Sequence, residues 1–192
     1  GEDRAYALPL SDLVGNNTSK IFAQSGAIVK ILDRYYRVSA RQSEAYGLSV
    51  IKFSDVTDHV MLENEYKASK KTVLIMMIDN YDDLLQNAKE SDKANVQVQI
   101  EQIFERFIEN TNGIIHKVSN DRFYAIIEER HLSRIIERKF DILDEVRSIQ
   151  VGDRTSVTLS IGVGRGAATL AQSEAYAKQS LDMCLGRGGD QA

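Results

Sequence analysis

Thr72-Val73-Leu74-Ile75-Met76-Met77-Ile78-Asp79-Asn80-Tyr81-Asp82-Asp83 decides the fold of this chain. Val73 to Ile78 is an unbroken apolar run with the length of a buried strand, far short of a membrane span. A strand that is apolar on both faces belongs in the middle of a sheet. The carboxylates that follow stand where open α/β sheets bind their ligands, and an Asp there can hold Mg²⁺ against a phosphate. The same acids also suit a helix N-terminus, whose dipole they complement. The residues alone leave both readings open.

Downstream, the hydrophobic period switches between 3.6 and 2. Residues 91–110 predict a helix, with Val96, Ile100, Ile103, Phe104, Phe107 and Ile108 on one face and Asn112-Gly113 as its stop. Residues 113–118 and 123–128 predict strands joined by the tight hairpin Ser119-Asn120-Asp121-Arg122. A second amphipathic helix is expected over 131–146, a strand over 155–163 and a final helix over 170–185. The fold class is therefore α/β (α+β), a mixed sheet flanked by helices, with a core of about 120 residues.

Upstream the texture is different. Residues 27–32, 35–40 and 48–53 read as strands of an antiparallel meander, separated by Asp33-Arg34 and by 41–47. At roughly 45 residues it is too short to bury a respectable core alone. Residues 55–71 predict a helix capped by Thr57 or Asp58, with a thin apolar stripe of Val60, Met61 and Tyr66. Such a polar helix is a natural connector and a dimer seam.

Composition removes several function classes. With 43% hydrophobic and 27% charged residues over 192 positions, the chain can build a packed core. The 24 basic and 28 acidic residues leave a net charge of -4, against a dedicated nucleic-acid binder. One cysteine, Cys184, forms no internal disulfide and reads as a core thiol. His59, His116 and His131 are scattered without ligand spacing, so no zinc site is expected. Gly162, Gly164 and Gly166 lack the spacing and the Lys-Ser/Thr of a P-loop. Gly1-Glu2-Asp3-Arg4 is no signal peptide, and the chain reads as a piece of a longer protein.

Asp79, the helix after it and the hairpin Ser119-Asn120-Asp121-Arg122-Phe123 together resemble the GGDEF domain of diguanylate cyclases over residues 72–190. SNDRF stands where that signature would, and the gap from Asp79 to Arg122 equals the family's gap from its first metal-binding Asp to its signature Glu. Asn87 falls on the family's guanine-binding Asn. The departures matter more. Ser119 and Asn120 replace the glycines that let the backbone approach nucleotide, and Arg122 replaces a metal-binding Glu. The acid that reads the guanine edge falls on or beside Val96, and a phosphate-contacting Lys falls on Met183. Arg187 is retained.

This degenerate pattern, with IDNYDD, KFDILDEVR (139–147), LSIGVG (159–164) and LGRGGDQ (185–191), resembles the GdpP family of cyclic-di-AMP phosphodiesterases. That resemblance implies a parent anchored in a bacterial cell membrane, with a PAS domain, a degenerate GGDEF domain and a DHH/DHHA1 catalytic unit. YYRVSARQ and IKFSDVTD are similar to the last strands of such a PAS domain. The implied division is a partial PAS-like segment over 1–54, a linker helix over 55–71 and a degenerate GGDEF domain over 72–192. The family's complete PAS domain carries haem, but its first half is missing here unless residues 1–26 supply a remnant. No DHH motif is present, so this cytoplasmic portion lacks the phosphodiesterase centre. The expected site comprises Asn80, Asn87, Asp121, Arg122 and Arg187 for nucleotide and Asp79 for Mg²⁺, with no catalytic residue assigned. Weak ATP binding with slow hydrolysis at most, a homodimer and the DHH/DHHA1 domain as partner complete the implied picture. An active cyclase making cyclic-di-GMP and a ligand-free dimerisation scaffold are the alternatives.

Overall fold

A computed structural model describes residues 26–43, 48–86, 90–151 and 155–192, and the chain falls into two units, residues 1–66 and 67–192. The first unit contains the expected meander. Strands β1 (Ala27–Ile31), β2 (Arg34–Ser43) and β3 (Leu48–Asp55) pair antiparallel in the order β1-β2-β3. Val29 and Val38 are buried, with Ile31, Tyr36, Ala40 and Ile51 packed against them. Of residues 1–26, the stretch that could supply the first half of a PAS domain, 1–25 lie outside the described residues.

Helix α1 (Thr57–Ser69) starts on Asp55, not on a cap from Thr57 or Asp58. Asp55 Oδ1 accepts the Thr57 amide at 3.0 Å and the Thr57 hydroxyl at 2.6 Å. These bonds hold the Asp55 carboxyl below its ordinary range. No residue of α1 is buried, and Met61, Leu62 and Tyr66 are exposed.

The second unit opens with β4 (Lys71–Ile78) and continues through α2 (Tyr81–Gln86), α3 (Glu90–Ile108), β5 (Ile114–Lys117) and β6 (Arg122–Glu128). Helices α4 (Glu129–Glu137) and α5 (Ile142–Arg147), strands β7 (Gln150–Val151), β8 (Thr155–Ser156) and β9 (Leu159–Gly164), and α6 (Leu170–Gly186) follow. The main sheet has the order β5-β6-β4-β9. Its pairings are antiparallel throughout, so the expected mixed sheet is corrected. The crossover through α3 does set β5 parallel to β4, but the hairpin returns β6 between them.

Both faces of β4 are covered, which explains its continuous apolar run. On one face Leu74, Met76 and Ile78 join Phe104, Phe123, Ile142 and Ile161 in the larger core. The Phe104 and Phe123 rings meet edge to face at 4.8 Å. On the other face Val73 and Ile75 lie against Ala177 and Leu181 of α6. Gly162 and Gly164 let α6 rest directly on β9: a Cβ at Gly162 would stand 2.1 Å from the Ala177 carbonyl oxygen, and one at Gly164 1.8 Å from that of Ser173. These glycines serve helix packing.

Two expected elements are divided. The helix over 131–146 is α4 and α5, because Lys139 and Phe140 take left-handed backbone with φ of 54° and 52°. Phe140 still donates its amide to Ile135 O at 3.0 Å and packs against the core. The strand over 155–163 is β8 and β9, separated at Val157-Thr158, whose backbone turns to bond Ile149 and Asn80.

Candidate functional site at the end of the central strand

The end of β4 is held from both sides. The Ile78 amide donates to Asp121 O at 2.8 Å, and the Asp79 amide donates to Thr158 O at 3.0 Å. Asp79 therefore stands beside the 119–122 hairpin, as the resemblance implies. Within the hairpin, the Val118 and Ser119 amides donate to Arg122 O at 3.0 and 3.1 Å, and Asp121 Oδ1 accepts the Ser119 hydroxyl at 2.5 Å. Ser119 and Asn120 are not among the positive-φ residues, so this turn forms without glycine.

Asn80 is committed to the backbone. Its Nδ2 donates to Ser156 O at 2.9 Å, its Oδ1 accepts the Thr158 amide at 3.1 Å, and its carbonyl accepts the Leu84 amide at the start of α2. It fixes the β8–β9 break against the strand end. Asn87 lies outside the described residues. Val96 is buried in the core and Met183 is exposed, so neither offers a carboxylate or an ammonium group.

Arg122 is half-buried. Its Nη2 reaches Met77 Sδ at 3.6 Å, while Nε is buried without a hydrogen-bond partner. It makes no ion pair with a described residue, although Lys178 of α6 is close enough for the two cations to repel. Lys178 itself pairs with Glu174 at 2.6 Å, which raises its pKa despite Arg122. Arg187 is exposed just beyond α6. Burial pushes the Cys184 thiol up, and the nearby Arg187 charge opposes that.

Residues 188–191 were not singled out as site residues, yet they cover the Asp79 carboxylate. The Asp190 amide donates to Asp79 Oδ2 at 2.8 Å and to Ser160 Oγ at 3.0 Å. Gly189, with φ of 75°, passes so close that a Cβ there would stand 2.8 Å from Asp79 Oδ2. Arg147 of α5 grips the segment, its Nε 2.7 Å from Asp190 Oδ2 and its Nη2 3.2 Å from Asp190 O. The Asp190 hydrogen bond raises the Arg147 pKa. Gln191 O accepts the Ile161 amide at 2.9 Å, and Gln191 Nε2 donates to Cys184 O and Gly189 O, both at 3.2 Å. The only sequence signal was the pair of strings KFDILDEVR and LGRGGDQ, which meet here through Arg147 and Asp190.

These residues do not fit a divalent cation. Among the described residues no group of three or more His, Cys, Asp or Glu side chains converges on a metal position. One Asp79 oxygen holds a backbone amide, and a guanidinium stands at the signature position. Among the described residues, no helix is long and apolar enough to cross a membrane.

A family model described as cyclic-di-AMP phosphodiesterase GdpP-like, GGDEF domain, matches residues 76–192. The chain is 34% identical over 142 residues to the cyclic-di-AMP phosphodiesterase GdpP of Geobacillus thermodenitrificans, covering 74% of this chain and 22% of that protein. It is 32% identical over 163 residues to GdpP of Bacillus subtilis, covering 85% of this chain and 24% of the relative. The chain thus spans about a quarter of the length of these curated relatives. Among solved structures, the active GGEEF domain of a diguanylate cyclase from Vibrio cholerae superposes with a TM-score of 0.56 at 14% identity, over 69% of this chain and 87% of that one.

Proposed function

The chain belongs to the GGDEF-domain family of GdpP-like cyclic-di-AMP phosphodiesterases, and from that membership we propose that it is a regulatory, non-synthesising portion of such an enzyme. The observation that carries this is the state of the strand end. Arg122 occupies the signature carboxylate position, and the Asp79 carboxylate is already bonded to the Asp190 amide at 2.8 Å. Cyclase chemistry must neutralise a triphosphate and activate a hydroxyl, and in phosphoryl transfer metal ions supply much of that stabilisation. A site with a cation at the signature position and one Asp79 oxygen already committed to a backbone amide is ill suited to either task.

Cyclic-di-AMP hydrolysis is assigned to a DHH/DHHA1 unit of the same parent, in a bacterial protein anchored to the cell membrane. Any nucleotide held by this domain would be bound through its phosphates by Arg122 and Arg187, with the Asp121 turn beside it. Mg²⁺ is not carried forward, because the residues present do not fit it. Loss of the acidic base reader at Val96 removes the preference for guanine and admits ATP, weakly. The exposed Met61, Leu62 and Tyr66 of α1 favour a homodimer.

Incubation with GTP or ATP and Mg²⁺, followed by chromatography, tests this assignment. No cyclic-di-GMP is expected, and calorimetry should show weak ATP binding that Arg122→Glu abolishes. Clear turnover of GTP to cyclic-di-GMP would refute the regulatory assignment.

A further inference from the structure

We propose that Asp79 is the receptor for the chain's own segment 188–191, latched by Arg147, and that this clasp has replaced metal binding at the strand end. The inference is independent of whether nucleotide binds, so its test reads the clasp and the metal directly.

Four observations carry it. The Asp190 amide is shared between a carboxylate and a hydroxyl, Asp79 Oδ2 at 2.8 Å and Ser160 Oγ at 3.0 Å. A bond from a backbone amide to an ionised acceptor is among the stronger neutral-to-charged contacts. Gly189 is required in two ways: its φ of 75° favours glycine, and a Cβ would meet the Asp79 carboxylate at 2.8 Å. The Oδ2 atom thereby has its backbone partner, and a cation there would compete with the Asp190 amide. Arg147 then binds both the side chain and the carbonyl of Asp190, at 2.7 and 3.2 Å. This neutralises the charge that would otherwise repel Asp79. Finally, Gln191 O takes the Ile161 amide on the outer edge of β9, so the segment closes a sheet edge as well.

Two buried carboxylate oxygens, Asp79 Oδ1 and Asp190 Oδ1, have no hydrogen-bond partner. A cation bridging them is the competing explanation, and the two make opposite predictions for Asp79→Asn. An amide oxygen still accepts a backbone N–H but is a poor divalent-cation ligand.

The experiment is hydrogen exchange of the 189–191 amides in the full chain, paired with Mn²⁺ binding followed by electron paramagnetic resonance. In Asp79→Ala and in Arg147→Ala the Asp190 amide should exchange roughly 10- to 100-fold faster, as expected for losing a hydrogen bond to a charged group. Asp79→Asn and Arg147→Lys should retain most of the protection. Mn²⁺ should show no Asp79-dependent binding below millimolar concentration. Unchanged exchange in either alanine variant overturns the proposal, and so does Mn²⁺ binding that Asp79→Asn removes. Should Asp79→Ala fail to fold, Arg147→Ala reads the same clasp, because its side chain is 39% exposed and lies outside the core.

Discussion

Two arms meet at the end of β4, and they are held in opposite ways. The 119–122 hairpin reaches the strand through one backbone bond, Ile78 N to Asp121 O at 2.8 Å, and the Arg122 contact with Met77 Sδ at 3.6 Å, and its turn residues Ser119 and Asn120 are exposed. The 188–191 segment is bound by Asp79, Ser160 and Arg147 side chains and by the edge of β9. Family resemblance directs attention to the hairpin, because nucleotide cyclases carry their signature there. In this chain the hairpin keeps its place with little chemistry, while the opposite arm occupies the carboxylate. The strand end of this chain thus combines a departed signature on one side with a side-chain clasp on the other.

The clasping arm is most vulnerable beneath α6, from which its segment springs. Gly164→Ala would put a Cβ 1.8 Å from Ser173 O, against backbone that cannot rotate away. We expect about 3 kcal/mol of destabilisation, the upper part of the range for overpacking. Urea unfolding should show a lower midpoint, and the 189–191 amides should lose protection together with α6. A variant as stable as the parent would mean that α6 does not rest on β9 as described.

Glycine content sharpens the contrast between the arms themselves. Gly189→Ala combines a φ of 75° with a contact of 2.8 Å to Asp79, and should cost about 2 kcal/mol. Ser119→Gly and Asn120→Gly touch an exposed turn that uses no positive φ, and should each change stability by about 0.5 kcal/mol or less. Thermal denaturation of the three variants side by side measures the difference. If the hairpin variants proved the more damaging, the strand end would be organised by the hairpin after all.

Much of this architecture was legible in the sequence because burial writes a pattern. The apolar run of β4 marked a strand covered on both faces, and the helical spacing of Val96 to Ile108 marked the helix packed on one of them. The division of the 131–146 helix was not legible. Lys139 and Phe140 are neither glycine nor asparagine, and tertiary packing of the Phe140 ring holds them in the left-handed region. The adjacency of Asp79 and the hairpin followed from the resemblance alone. The clasp was invisible for a different reason. It joins Asp79 to a backbone amide 111 residues away, and Arg147 to a carboxylate 43 residues away. An amide is present at nearly every position, so no residue type announces which one a carboxylate will hold.

The smallest effect expected concerns the strand that leads into the hairpin. Lys117 of β5 reaches Glu101 of α3 with Nζ 2.9 Å from Oε1, and Gln97 donates to the same oxygen at 2.9 Å. The Lys117 bond first, and the Gln97 bond second, hold the Glu101 carboxyl below its ordinary range. A depressed carboxyl stabilises the fold above its unfolded pKa, about 4.3 for Glu, and loses that contribution as pH falls through the folded value. Both side chains are partly exposed, so solvent screens the pair and its worth is small. Carboxyl NMR should place the Glu101 midpoint below the ordinary carboxylate range, and Lys117→Ala should return it toward that range with a barely altered melting temperature. A large loss of stability in Lys117→Ala would show that the hairpin side is anchored as firmly as the clasp, and the asymmetry between the two arms would disappear.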